Sequence, residues 1–189
     1  GHGQFVPDLK FPGLWHAAFA RSQMAHGNIR SVVPPVGAES QVFTVDDLHD
    51  VQPIRSAASL PGFQSSDYPV LAKGKVRYAG EQIAMAVAPT RAEAEDIADA
   101  ITIDLEELPA IVSPVQAQSA DASLIHDNWT SNVVCETDFE NGDIESAKVN
   151  ATLLIERNFS LARQTPMPME GRGVCAQFDH RLDELVVWM

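Results

Sequence analysis

The chain has 189 residues, enough for one well-formed core or for one domain together with part of another. Its 13 basic and 26 acidic residues give a formal net charge of -13, so a nucleic acid or an anionic membrane surface would be repelled on average. No apolar run approaches the ~20 residues that a membrane span needs, and the first residues lack the basic region and apolar core of a signal peptide. We therefore expect a cytoplasmic protein that binds neither nucleic acid nor membrane.

Short apolar segments separated by turn residues predict strands in the first third of the chain. The predicted elements are strands at residues 14–20, 29–33 and 41–44 and a helical turn at residues 45–48. Residues 49–75 contain three prolines and two glycines and are predicted to form a long irregular connection. A connection of this length in a compact domain is usually functional or packed against a partner.

The clearest pattern is a strand–helix–strand unit over residues 76–109. Residues 83–88 form an apolar run typical of a buried strand. Thr90 and Glu93 then have the spacing of a capping box, in which the hydroxyl accepts from a helix N–H and the carboxylate reaches back to the cap. Ala94, Ile97, Ala98 and Ile101 form the apolar stripe of the helix. Residues 101–105 then alternate with the period of a half-buried strand.

The second half of the chain begins with a change in amino-acid composition. Residues 116–132 are rich in Ala, Ser, Asp and Asn and predict a linker between lobes. The elements predicted after it are strands at residues 133–139 and 151–161, a short helix from Asp143 to about Val149, and a hairpin of residues 174–178 and 185–188. The chain starts within a Gly-containing segment and stops inside a strand-like run, so we expect it to be a piece of a longer polypeptide.

Most familiar catalytic and metal-binding patterns are missing from the sequence. None of the six histidines pairs with another at metal-ligand spacing, and there is no GxSxG, Walker or GxGxxG motif. Cys135 and Cys175 are expected to be reduced, buried side chains, with a disulfide or a reactive thiol as the alternatives. The carboxylates of the predicted helix are interpreted as a solvated face rather than as acid–base catalysts; they are Glu93, Glu95, Asp96 and Asp99.

Residues 163–173 form the most unusual segment, with two prolines, two glycines, two methionines and paired charges between two predicted strands. A loop this constrained often carries function. One interpretation is a rigid crossover in which Glu170 pairs with Arg163 or Arg172. The other is a loop beside a cofactor, in which Gln164 or Glu170 supplies hydrogen bonds.

Seven segments of the chain, in order and with near-family spacing, carry a resemblance to a known family. They are GHGQFVPDL at residues 1–9, LWHAAFARS at 14–22 with Ala25, His26 and Ile29, VFTVDDL at 42–48, VRYAGEQIA at 76–84, the helix and strand up to LPA at 108–110, Gly142-Asp143 with Ala147, and Met169-Glu170 with Gly173. The set resembles the start of the large subunit of molybdenum hydroxylases, the carbon monoxide dehydrogenase, xanthine dehydrogenase and aldehyde oxidase family. The chain departs from that pattern at Gln23-Met24, Gln82 and Gly171.

The resemblance implies an α/β (α+β) fold: a hammerhead domain with a mixed sheet over residues 1–127, then the β-rich start of a molybdopterin-binding domain over residues 128–189. It implies a structural and interface role within an oxidoreductase that hydroxylates aldehydes, purines or N-heterocycles, or oxidises carbon monoxide. The full subunit would bind molybdopterin, in the cytosine-dinucleotide form if the chain belongs to the carbon-monoxide-dehydrogenase-like branch. The expected partners are the remainder of the large subunit and iron–sulfur and FAD subunits or domains, in a homo-oligomer of the full complex.

No catalytic residue and no metal ligand is expected within the chain, and no cofactor is expected in the fragment alone. Gln164 and Glu170 are the only candidate cofactor-lining residues. Two alternatives remain: a stand-alone binding or assembly module derived from the same domain, and a small enzyme that uses Cys175 or Glu170.

Overall fold

The computed structural model describes residues 2–162 and 164–189. The chain folds into two compact units. The larger unit comprises residues 15–139, and the smaller unit comprises residues 1–14 together with residues 140–189.

In the described residues, the larger unit contains eight short strands and the smaller unit contains two. The strands are β1 (His16–Arg21), β2 (Gly27–Val33), β3 (Val42–Phe43), β4 (Ile54–Arg55), β5 (Asp67–Tyr68), β6 (Lys75–Val76), β7 (Gln82–Ala88), β8 (Thr102–Glu107), β9 (Cys175–Asp179) and β10 (Glu184–Trp188). The helices are α1 (Arg91–Ala100), α2 (Pro114–Ala117) and α3 (Ile144–Asn150), and single 3-10 turns lie at Val6–Asp8, Glu39–Gln41 and Val45–Asp47. The predicted α/β class is confirmed.

Two three-stranded sheets organise the larger unit, with strand orders β1-β7-β3 and β6-β2-β8. Each strand pair in them is antiparallel. A small β4-β5 pair completes the sheets of this unit. In the described residues no helix is long and apolar enough to cross a membrane.

The predicted strand–helix–strand unit forms β7, α1 and β8, with one local difference at the helix start. The Thr90 hydroxyl accepts from the Glu93 N–H at 3.2 Å, as predicted. The Glu93 carboxylate, however, accepts from the Thr90 hydroxyl at 2.9 Å instead of reaching back to the backbone. The acidic residues of α1 are exposed, which confirms the solvated face.

Small side chains allow α1 to lie close to the sheet. Ala84, Ala86 and Ala88 of β7 are fully buried on alternate positions, and α1 packs on β7 and β1. On the helix, Ala94 and Ala98 are the buried residues. Because alanine extends only to Cβ, the two backbones approach closely over this face.

The two sheets share one core. One buried cluster contains Ala20, Val42, Ala84 and Ile101, and the other contains Ala72, Val76 and Ile83. Val32 of β2 and Ile103 of β8 pack against both clusters and so join them. Strand β7 therefore contributes to the core with both of its faces.

Several predicted elements differ from those observed. The strand expected at residues 41–44 is reduced to β3, because residues 39–41 form a 3-10 turn. The connection of residues 49–75 is not wholly irregular, since it contains β4, β5 and the start of β6. The strands predicted at residues 133–139 and 151–161 do not form. A strand needs a partner for its main-chain groups, and the described residues provide no ladder partner for either stretch.

In the smaller unit, the predicted helix and the predicted hairpin are both confirmed. Helix α3 begins after Asp143, whose carboxylate accepts from the Ser146 N–H at 2.8 Å. The hairpin forms with Cys175 opposite Trp188. Its turn contains Asp183 at a φ of 56°, and the Asp179 carboxylate accepts from the Arg181 N–H at 2.8 Å.

The close contact between β7 and α1 predicts a sharp difference between two similar substitutions. Ala86→Leu adds a large side chain to a fully buried position, so it should lower the free energy of unfolding by about 1–3 kcal/mol. Ala92→Leu, on the exposed side of α1, should change it by less than about 0.5 kcal/mol. Urea titration followed by circular dichroism measures both, and equal stabilities for the two variants would contradict the packing described.

Candidate functional site

Gln164 and Glu170 both lie between α3 and β9, and both side chains are exposed. Glu170 lines a groove of about 430 Å3, and Gln164 is not among the lining residues. The structure does not bring the two side chains together in that groove. Of the predicted ion-pair partners of Glu170, Arg163 lies outside the described residues, and the described side chains include no ion pair between Glu170 and Arg172.

The groove is formed within the smaller unit by its two chain segments. Its lining residues are Gln4, Val6, Glu170, Gly171, Arg172, Gly173, Val174 and Met189. A Cβ atom at Gly173 would lie 3.2 Å from the Cβ and Cγ1 atoms of Val6, which is closer than ordinary van der Waals contact, so a larger residue would require Val6 to move. A Cβ atom at Gly171 would meet no atom within 4 Å. The rings of Phe11 and Trp188, 4.7 Å apart, join the same two segments elsewhere.

The groove offers polar groups suited to an anionic or amide-rich ligand. Arg172 supplies a guanidinium and Gln4 a side-chain amide. Glu170 is an acceptor for ring or amino N–H groups. The described residues include no group of three His, Cys, Asp or Glu side chains that could hold a metal ion.

The histidines and cysteines behave largely as structural residues. His26 is buried, and its Nδ1 atom lies 2.8 Å from the Pro109 carbonyl oxygen, although its Nε2 atom has no partner in the described structure. Cys135 and Cys175 are free thiols and are half-buried rather than buried as predicted. Neither lies in a described cluster that could serve as a metal site.

The segment VRYAGE contains a buried carboxylate whose contacts are structural. Glu81 is only 7% exposed, and it accepts from the Arg77 backbone N–H at 2.5 Å. Its carbonyl oxygen accepts from the Ser22 N–H at 2.9 Å, so the turn is tied to the end of β1. Burial, followed by the charge of Glu81, raises the pKa of Tyr78.

Sequence reasoning missed a polar patch in the larger unit. Lys75 forms an ion pair with Asp127 at 2.5 Å, and the charges of Lys75, Arg77 and Asp127 all act on His126. The motif VRYAGE pointed to Arg77 only as part of a resemblance. Lys75 and Asp127 are far apart in the chain and belong to no motif, so only folding brings them together.

Two family models match the chain, one after the other along its length. Residues 1–109 match the model of the aldehyde oxidase and xanthine dehydrogenase a/b hammerhead domain. Residues 125–189 match the model of the molybdopterin cofactor-binding domain. The first match alone spans more than half of the chain. The chain therefore belongs to the aldehyde oxidase and xanthine dehydrogenase family of molybdopterin-dependent proteins.

Individual relatives agree with this assignment. The chain is 29% identical to the nicotine 6-hydroxylase large subunit of Paenarthrobacter nicotinovorans, covering 100% of the chain and 24% of the relative. It is 26% identical to the carbon monoxide dehydrogenase large chain of Hydrogenophaga pseudoflava, covering 100% of the chain and 25% of the relative. The structure of quinoline 2-oxidoreductase from Pseudomonas putida 86 superposes with a TM-score of 0.90 at 30% identity, over 98% of this chain and 24% of that one. The chain thus spans about a quarter of the length of the relatives it matches.

The contact between Gly173 and Val6 can be tested with a neighbouring glycine as the control. Gly173→Val should lower the free energy of unfolding by about 1–3 kcal/mol, because the added side chain would overlap Val6. Gly171→Val meets open space and should change it by less than about 0.5 kcal/mol. Thermal unfolding of both variants measures the difference, and a stable Gly173→Val protein would show that the two segments do not meet as described.

Proposed function

We propose that this chain is the N-terminal portion of the large, molybdenum-cofactor-binding subunit of a molybdenum hydroxylase. In this proposal the portion is structural and forms interfaces, and the catalytic residues lie elsewhere in the subunit. The observation that carries the proposal is the ordered match of two family models, at residues 1–109 and 125–189. The coverage of about a quarter of each relative supports a partial role.

The proposed domain boundary lies between residues 127 and 128, with the hammerhead domain before it and the start of the molybdopterin-binding domain after it. The two family matches support this boundary, since the gap between them, residues 110–124, ends just before it. The compact units divide the chain differently, at residues 14/15 and 139/140. Residues 128–139 would then belong to the second domain by sequence while folding with the first.

We propose that the groove at Glu170 contributes to binding the organic part of a molybdopterin cofactor, and its hydrogen-bonding side chains support this proposal. Glu170 and Gln4 would hold the N–H and carbonyl groups of the pterin, and Arg172 would hold its phosphate. We propose Gln164, which precedes Glu170 in the same connection between α3 and β9, as a further donor near the cofactor. The cofactor supplies the oxidation and electron-transfer chemistry when it is bound, and the protein positions it and tunes its surroundings.

The remaining features of the whole protein are proposed from its relatives. A nicotine 6-hydroxylase and a quinoline 2-oxidoreductase favour an N-heterocycle as the substrate, and carbon monoxide dehydrogenases favour carbon monoxide. The similarity to carbon monoxide dehydrogenases supports the cytosine-dinucleotide form of the cofactor. We further propose iron–sulfur and FAD subunits as partners, a homo-oligomeric complex and a cytoplasmic location. A relative called subunit gamma of a dehydrogenase complex supports a multi-subunit assembly.

If this portion is structural and the catalytic residues lie elsewhere in the subunit, molybdenum should be retained only by the full-length protein. The 189-residue chain purified alone should contain no molybdenum, whereas the full-length product of the same gene, co-expressed with its neighbouring subunits, should contain about one molybdenum atom per subunit. Plasma mass spectrometry of both preparations measures this. Stoichiometric molybdenum in the short chain would show that the portion is itself the cofactor site.

The two candidate lining residues can be tested in the full-length protein. Loss of one hydrogen bond to the cofactor should weaken its retention by roughly fivefold, so we expect Glu170→Gln and Gln164→Ala to lower the pterin content after dialysis. Gln177→Ala, at an exposed position of β9, is the matched control and should retain the cofactor. Fluorescence of the released, oxidised pterin gives the content. Retention equal to that of the control would remove both residues from the site.

A further inference from the structure

Residues 123–134, here called the strap, contain no helix or strand. Side-chain hydrogen bonds nevertheless attach them to other residues of the larger unit. The strap is closed on itself by Asn132, which accepts from the Ile125 N–H at 3.0 Å and donates to the Ser123 carbonyl at 2.9 Å. The Trp129 indole N–H donates to the Ser65 carbonyl at 2.8 Å. The predicted linker is therefore a docked segment in this part of its length.

One side chain of the neighbouring loop binds the strap at several points. The Gln64 side-chain amide donates to the carbonyl oxygens of Ser131 and Val133, at 3.1 and 2.7 Å. Its side-chain oxygen accepts from the Thr130 N–H at 3.1 Å. The Gln64 backbone N–H donates to the Val134 carbonyl at 2.7 Å. These bonds involve no titratable group, so they do not depend on pH near neutrality.

The other attachment of the strap is electrostatic. Asp127 pairs with Lys75 of β6, whose side chain is only 14% exposed. Gly27 lies opposite Val76 at the end of the β2–β6 pair, and His26 and Arg77 are the residues that flank this pair in the chain. The buried Nε atom of Arg77 and Nε2 atom of His26 have no partner in the described structure. The strap thus places its carboxylate beside a region rich in cationic donors.

His126 lies in the strap next to that carboxylate. Its ring lies 4.4 Å from the Trp129 ring, at an interplanar angle of 31°. The charged groups that act on it are Lys75 of β6, Arg77, which follows β6, and Asp127 of the strap. His126 and Tyr68 also line a groove in the larger unit, which is separate from the groove at Glu170. A positive charge on this imidazole would be repelled by Lys75 and Arg77 and attracted by Asp127, a carboxylate that already pairs with Lys75.

We propose that the strap is a pH-sensitive latch, docked on Gln64, Ser65 and Lys75 at neutral pH and released more readily by mild acidification, with His126 as the group that switches. Protonation of the imidazole would add a positive charge that Lys75 and Arg77 repel. Release would also break the hydrogen bonds to Gln64 and Ser65, but it would leave the sheet core intact, because that core contains no strap residue.

The direction of the pH effect follows from the docked environment. Burial first, and then the charge of Arg77, lower the pKa of His126 below its ordinary value of about 6.5. The docked state therefore disfavours the protonated ring. Its contribution to docking is complete above about pH 6.5 and is lost as the pH falls below that value.

Asp127 titrates in a separate range. The hydrogen bond from Lys75 lowers the pKa of Asp127 below its ordinary value of about 3.8, so its charge persists through the range in which His126 becomes protonated. His126 is consequently the strap residue whose titration would release the latch under mildly acidic conditions.

Hydrogen exchange of the intact protein tests the latch directly. After correction for intrinsic exchange rates, the opening of strap amides such as Thr130 should increase by roughly threefold or more between about pH 7.5 and about pH 5.5. Amides of β7 serve as the internal reference and should keep their protection. The His126 ring signals in NMR should titrate with the same midpoint as the opening.

Two variants separate the switch from general destabilisation. His126→Gln should make strap opening independent of pH over this range, and His49→Gln, at an exposed histidine, should leave the wild-type response intact. Lys75→Met should increase opening already at about pH 7.5, because it removes the partner of Asp127. Unchanged strap protection in the wild type, equal loss at β7, or a pH response that survives in His126→Gln would each overturn the proposal.

Discussion

The larger unit depends on the burial of β7 on both faces. One face presents alanines to α1, and the other presents Ile83 to the cluster built on Ala72 and Val76. A strand covered on both sides cannot tolerate a polar residue or a large one at the alanine positions, since either would leave an unsatisfied group or overlap the helix. The register of β1 and β3 on β7, and hence the position of the 3-10 turns beside β3, follows from this central strand.

Irregular segments of the larger unit are held by a different kind of interaction. Gln64, Trp129 and Asn132 provide hydrogen bonds to main-chain groups that no sheet satisfies. Such bonds order a loop without a helix or strand, because each buried main-chain group needs a partner and the nature of that partner matters little. The order of the strap therefore depends on a few side chains, and a change in charge beside them can have a local effect that leaves the core unaltered.

The smaller unit exposes many large apolar side chains to solvent. Leu153, Ile155 and Phe159 are well exposed, as are several apolar residues of the β9–β10 hairpin. A two-stranded hairpin is marginally stable in isolation and gains stability when further strands or another layer cover it. This surface agrees with the proposed role of residues 128–189 as the start of a larger domain, in which other parts of the subunit would supply that cover.

Local sequence patterns were sufficient to predict the most regular helix and strands and to indicate the family. The capped helix α1, its flanking strands and the β9–β10 hairpin follow from periodicity and turn residues close together in the chain, and the ordered motifs indicated the hammerhead and molybdopterin-binding family. Alternation alone also predicted strands at residues 133–139 and 151–161, which did not form, because a strand is completed only by a partner that a local pattern does not identify. Likewise, the composition of one loop indicates Gln164 and Glu170, whereas the groove at Glu170 is also lined by Gln4 and Val6, which lie near the opposite end of the chain. Only the folded structure brings Asp127 to Lys75 and places His126 where Lys75 and Arg77 act on it electrostatically. Such interactions depend on distances in space and leave no periodic signal in the sequence.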